Sequence, residues 1–162
     1  EPGYQGLDGP ALDRQLGKVT LDEAREACGE SGASGIDDLV IAAGHCDFAK
    51  CARALETLLQ EGVSPVWILR SLLNHFRRLH EARTKLNQGM QLDQALNSLR
   101  PPVFFKQKPD FQRQLKSWRH DALAQVLLDL TELEVKAKST GSKEEILIGQ
   151  YLVTLDPKAI TV

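Results

Sequence analysis

Apolar side chains recur along this chain at the 3.6-residue spacing of a helix, and no stretch alternates convincingly with a period of two. Phe48, Cys51, Ala52, Leu55, Leu58 and Leu59 form one stripe, opened by Asp47 as a cap and closed by Gly62. Ser64-Pro65 restarts the pattern, because a capping hydroxyl precedes a proline placed where its missing amide costs nothing. The helix that follows is predicted to run to about Asn87, with Leu69, Leu72, Leu73, Phe76 and Leu79 inward and Gly89 at its end. A shorter helix is expected over 92–99. Pro101-Pro102 then forbids continuation, since each proline removes an amide donor and disfavours helix in the residue before it. The pattern resumes near Pro109 and takes in Phe111, Leu115 and Trp118. Asp121 is expected to cap the next helix, in which Leu123, Val126, Leu127, Leu130, Leu133 and Ala137 keep the helical period. A tight loop over 138–141 leads to Ser142 and Glu145, whose spacing predicts a capping box and a last helix through Ile146, Leu147, Tyr151, Leu152 and Leu155.

The first third is more broken. Residues 1–19 are rich in Gly and Pro and carry no apolar period. Thr20 and Glu23 predict a capping box opening a short helix, with Leu21, Ala24 and Cys28 on one face and Gly29 at its end. Residues 29–35, Gly-Glu-Ser-Gly-Ala-Ser-Gly, read as a flexible break and as the boundary before the main body. A second short helix is expected over about 36–43, stopped by Gly44, with Asp37 and Asp38 in its first turn where they suit the helix dipole. The expected fold is therefore all-α, a bundle of about seven or eight helices. No repeat of fixed length appears, which argues against a solenoid.

Composition agrees with a packed helical domain. Of 162 residues 42% are hydrophobic, 26% charged and only 6% aromatic. No apolar run approaches the roughly 18 residues a membrane span needs, and Glu1-Pro2-Gly3-Tyr4 lacks the basic-then-apolar profile of a secretory signal. A soluble cytoplasmic protein without membrane contact is expected. The charge is unevenly spread. Residues 1–63 carry 5 basic and 12 acidic side chains, a net of −7, whereas 64–120 carry 11 and 3, a net of +8. Residues 121–162 return to −3. A basic middle between acidic ends fits a nucleic-acid face, complementary contacts with partner proteins, or a solvated helix surface.

Catalytic signatures are thin. A Gly-x-x-x-x-Gly-Lys-Ser/Thr cradle and a Gly-x-Ser-x-Gly elbow are both missing, and Gly141-Ser142-Lys143 lacks the upstream glycine and strand of a phosphate loop. His45, Cys46, Cys51, His75 and His80 hold zinc-type ligands, but at the wrong spacing. Two histidines five apart on a helix point roughly 140° from each other. Cys51 sits on an apolar stripe, where a thiol behaves as a small hydrophobe. An odd number of cysteines, three, predicts reduced thiols. No metal and no cofactor are expected.

The stretch Phe104-Phe105-Lys106-Gln107-Lys108, followed by Arg113, Lys116, Trp118 and Arg119, interleaves aromatics with cations. Rings that stack on bases beside phosphate-binding lysines have this look. So do aromatics that anchor a loop-to-helix joint in the core, and that reading is favoured because Phe111, Leu115 and Trp118 share a stripe. Lys106, Lys108, Arg113, Lys116 and Arg119 are the candidate basic surface.

The order of features resembles a known family. Asp37-Asp38-Leu39-Val40 is followed by Gly44 to Ala49 in a Gly-x-x-Asp-Phe-Ala step, then by Leu55-Glu56-Thr57-Leu58-Leu59-Gln60-Glu61-Gly62-Val63-Ser64-Pro65 and Ile68-Leu69-Arg70-Ser71-Leu72. Arg100-Pro101-Pro102-Val103-Phe104-Phe105-Lys106 and the helix with Glu132 and Lys136 come later. Over about residues 20 to 155 this is similar to the delta subunit of the bacterial DNA polymerase III clamp loader. The resemblance implies that residues 1–32 are the tail of a helical lid domain with its linker, and 33–162 a helical collar. It further implies a non-catalytic subunit module that assembles with gamma/tau ATPase subunits and delta-prime to load the sliding clamp during DNA replication. No clamp-binding residue is carried over, because that contact belongs to a part of the family's chain that precedes this one. Lys138, Thr140 and Lys143 are candidates to lie near primer–template DNA in the assembled complex. The rival expectations are a stand-alone helical nucleic-acid-binding protein using residues 64–120 and, behind it, a zinc-stabilised regulator.

Overall fold

The computed structural model describes residues 32–139 and 143–158, which form seven helices and no strand. The expected helix over 20–28, Thr140 and the Ser142 half of the second capping box lie outside the described residues. In order, the helices are α1 (32–44), α2 (Phe48–Gln60), α3 (Pro65–Asn87), α4 (Leu92–Ser98), α5 (Lys108–Ser117), α6 (His120–Ala137) and α7 (Glu144–Leu152). This is the all-α bundle expected from the apolar period.

Most ends fall where the local chemistry directs. Asp47 accepts the Lys50 amide at 3.2 Å and opens α2. The Val63 and Gly62 amides bond back to Leu58 and Leu59, and the Met90 and Gly89 amides to Lys85 and Leu86, so α2 and α3 close in the same way. Both closures turn on a glycine in the left-handed region, Gly62 at φ 83° and Gly89 at φ 97°. Some boundaries and one cap differ from expectation, and α7 stops at Leu152, short of the expected Leu155. Residues 32–35 are already helical, so the described part of the glycine-rich break belongs to α1. The reason is tertiary: a Cβ on Gly35 would stand 2.9 Å from Leu58 Cδ2, and α2 packs where a larger residue would hold it off. Asp37 and Asp38 consequently sit in the second turn, too deep for the dipole role. Pro65 does begin α3, but Ser64 makes no capping bond with its side chain. α6 begins at His120, and Asp121 lies in its first turn, accepting the Ala122 amide at 2.9 Å.

α3 is the central rod. It buries Ile68, Leu69, Leu72, His75, Phe76, Leu79 and Ala82, and α4, α5, α6 and α7 all pack against it. Its broadest contact is with α6, which supplies Ala122, Leu123, Val126, Leu130, Leu133 and Ala137. α7 reaches α2, α3 and α6 together. Trp118 and Phe76, the two largest fully buried side chains, meet edge to face at 5.2 Å, a geometry worth about 1 kcal/mol beyond burial. Beyond α7 the chain turns back, buries Leu155, and offers the Pro157 carbonyl to the Arg119 amide at 3.1 Å. The end of the described chain is thus tied to the start of α6.

α1 is attached to α5 by polar bonds inside this apolar body. The Gln114 amide donates to the Ile41 carbonyl at 3.0 Å, so its oxygen is left to accept the proton on His75 Nε2 at 2.7 Å. Trp118 Nε1 donates to the Gly44 carbonyl at 2.8 Å. A Cβ on Gly44 would overlap the Gln114 amide, so this close approach requires glycine. Burial drives the His75 pKa down to about 4, the Gln114 bond opposing and nearby Arg78 assisting. His75 is a neutral core residue at physiological pH.

Candidate functional site

With its inner stripe committed to α3, α6 presents a second apolar line to solvent. Leu128 is 61% exposed and Val135 66% exposed, seven residues apart. Ala124, Leu128, Thr131, Val135 and Lys138 recur at intervals of four, three, four and three, the interval at which one helix packs lengthwise on another. Ile146 of α7 and Val153, the residue that closes this helix, are likewise seven apart and exposed. Single exposed apolar residues are ordinary, but two helices each carrying a pair in helical register have surface beyond what their own core uses.

The basic middle is less available than its net charge implies. Lys108 approaches Asp93 at 3.9 Å, Arg113 pairs with Asp110 at 3.0 Å, and Arg119 grips Asp121 through two bonds of 3.1 Å. Lys106 and Lys116 are exposed. Of the residues chosen for the 138–143 loop, Lys138 reaches Glu134 at 3.5 Å, and Glu134 also receives Arg70 at 3.4 Å. Lys143 is exposed at the start of α7. Thr140 lies outside the described residues.

The aromatics of this region divide. Phe111, Leu115 and Trp118 are buried, as their stripe requires. Phe104 and Phe105 are not: they stand 53% and 70% exposed on the loop before α5, their ring centres 4.8 Å apart. The expectation that they anchor this joint in the core is therefore corrected. α4 ends at Ser98 and the two prolines keep the chain out of helix beyond it, leaving no stripe to turn the rings inward. The loop is fastened from below, where Arg78 Nη2 donates to the Pro101 carbonyl at 2.6 Å. Burial lowers the pKa of that guanidinium, with Arg77 adding to the effect.

The zinc-type side chains do not converge. His75 Nε2 is engaged with Gln114, and His45 Nε2 lies 3.0 Å from Asp110 Oδ1. Burial pushes the Cys46 and Cys51 thiols up to about 11, helped by Asp156 and Asp47 respectively. That holds both as thiols rather than metal-binding thiolates. Among the described residues no group of three or more His, Cys, Asp or Glu is placed to hold a metal. An open groove of about 660 Å³ runs between α1, α2 and the start of α5, over Ile41, Ala42 and Ala54. Asp37, Asp38, Asp47 and Asp110 line it; Asp47 is engaged in the α2 cap, and Asp110 with His45 and Arg113.

Sequence reasoning missed two arrangements, Gln114 as a clamp between α1 and α3 and a stack of His80 on His120. Their partners are 36 or more residues apart in sequence. No local pattern marks either. No helix among the described residues is long and apolar enough to cross a membrane.

Comparison with known proteins yields a family and a relative. The family described as "DNA polymerase III delta subunit, C-terminal domain" matches residues 35–155. A protein named "Probable DNA polymerase III subunit delta", from Rickettsia prowazekii (strain Madrid E), is 26% identical over 96 residues. That match covers 59% of this chain and 30% of the relative, so the similarity spans less than a third of the relative's length. No solved structure matches.

Proposed function

The chain belongs to the family formed by the C-terminal domain of the DNA polymerase III delta subunit, and from that premise we propose that it is a non-catalytic assembly module of a clamp loader. In this reading residues 33–162 form a collar and 1–32 the tail of a preceding lid domain. The collar packs against gamma/tau ATPase subunits and delta-prime, and primer–template DNA is reached only through the assembled complex.

The observation that carries the proposal is the outward line of α6. Leu128 and Val135 offer a helical neighbour apolar contact at the spacing such a neighbour needs, and the adjoining exposed Glu132 and Lys136 supply register. Converting L128E and V135E together tests it. The chain should keep its thermal midpoint, because neither residue touches the core. Co-purification with the gamma/tau ATPase should fall by at least roughly thirtyfold, the effect of losing about 2 kcal/mol at an interface centre. Undiminished co-purification would remove α6 from the interface.

Two loops are candidates for the DNA side of the assembly, the segment with Lys138, Thr140 and Lys143 and the exposed Phe104–Phe105 pair beside Lys106. Exposed rings next to a cation suit unstacked bases. Stand-alone nucleic-acid binding through residues 64–120 is the weaker reading, since three of its five chosen cations already face carboxylates.

A further inference from the structure

Where α6 begins, its first residue lies against α3 ring to ring. His80 and His120 have centroids 4.5 Å apart and planes inclined by 32°. Thr84 secures the arrangement: its hydroxyl donates to the His80 carbonyl at 2.9 Å and so accepts from His120 Nε2 at 2.9 Å. His120 therefore carries its proton on Nε2, whether neutral or charged. Both rings are half-buried.

The surrounding charges have other partners or face solvent. On α3, Glu81 is held by Lys85 at 3.1 Å, and Arg83 reaches the Leu115 carbonyl at 3.4 Å. At the α5–α6 junction Lys116 is exposed, and Arg119 and Asp121 bind each other. Among the described residues no carboxylate, the tail's Asp156 included, forms an ion pair with either ring. A second positive charge 4.5 Å from the first, at a helix N-terminus whose dipole is itself positive, is therefore poorly offset. Consistent with this, burial and the facing His120 both lower the His80 pKa.

We propose that the His80–His120 stack is a proton-operated latch on the α3–α6 seam, closed while at most one ring is charged and open when both are. Opening frees the first turn of α6 together with the tail segment tied to it through Arg119 and Pro157. The latch lies on a different part of the molecule from the outward face of α6 and does not depend on the assembly reading.

Amide exchange in the 162-residue chain tests it, read at Leu123, whose amide bonds the Arg119 carbonyl at 3.0 Å. If the open state accepts one more proton than the closed state at the ordinary histidine pKa, the Leu123 protection factor falls about tenfold between roughly pH 7.5 and 5.5. In H80Q that local fall is absent, while protection at Leu133, near the far end of α6, follows the wild type at both pH values. H120Q keeps an N–H for Thr84 and serves if H80Q is poorly folded. Ring titration by NMR adds an independent reading: in wild type His80 titrates below its ordinary range, and H120Q returns it toward that range. A Leu123 fall in both variants as steep as in wild type, or two rings that titrate independently, overturns the latch.

Discussion

Phe104 and Phe111 stand seven residues apart, and Trp118 follows after seven more, all in one cation-rich stretch. The first is half in solvent and the other two are in the core. What separates them is backbone. A seven-residue interval selects one face only if the chain between is helical, and that condition holds from Lys108 onward but not across the loop that Pro101-Pro102 opens. Buried aromatics here are fastened by partners of defined geometry, Trp118 by the Gly44 carbonyl and Phe76. The exposed rings of Phe104 and Phe105 have each other as aromatic partner. The same residue types thus serve stability on one side of Lys108 and remain free for contact on the other.

The contrast is broken most severely at Trp118. W118A removes a fully buried ring and leaves the Gly44 carbonyl without its donor, so urea unfolding should show a loss of about 3–5 kcal/mol. A loss under about 1 kcal/mol would mean that the core closes without this ring.

Acid comes next, acting through His75 on the buried side. The folded state holds this imidazole neutral down to about pH 4, whereas the unfolded chain protonates it near 6.5. The unfolded state binds the extra proton, so the His75 contribution is complete above pH 6.5 and declines as pH falls toward 4, by up to about 3 kcal/mol. Urea midpoints measured from about pH 7 to 4 should follow that decline. H75L, less stable at neutral pH because Gln114 loses its donor, should show a flatter one. An equal slope in H75L would assign the acid sensitivity to other groups.

The smallest expected effect sharpens the contrast from its other side. F104S with F105S should change stability by no more than about 0.5 kcal/mol in the same assay, as befits exposed positions. If these rings face DNA in the assembled loader, primer–template affinity should drop at the same time. A stability loss rivalling that of W118A would show that the pair belongs to the core after all.

How much of this was readable from sequence follows from the range of the interactions. The helices from Phe48 onward were legible because each carries its own period and, at Asp47, Gly62 and Gly89, its own punctuation. The helical state of residues 32–35 was not, because what favours glycine there is the close approach of Leu58, 23 positions beyond Gly35. Basic residues could be counted but not paired: Lys108 finds Asp93, and Arg70 finds Glu134. Of the candidate site, the cations were recognised. The outward line of α6 was hidden, since Leu127 and Leu128 look alike until the rod they lie on has been oriented by α3.

Of the helices α2 to α7, α2 makes its broadest contact with α7, across a gap of more than eighty residues. A ribosome delivering this stretch extrudes α2 long before the helix that will cover it. The intervening rods are made in the order in which they pack around α3, yet the structure gains its clasp only when α7 arrives. Closing so long a loop is slow compared with helix formation. During that delay the part of the α2 stripe that α7 will cover, around Leu55, is presented to whatever waits at the exit tunnel, a vulnerability of the nascent chain that the finished bundle conceals.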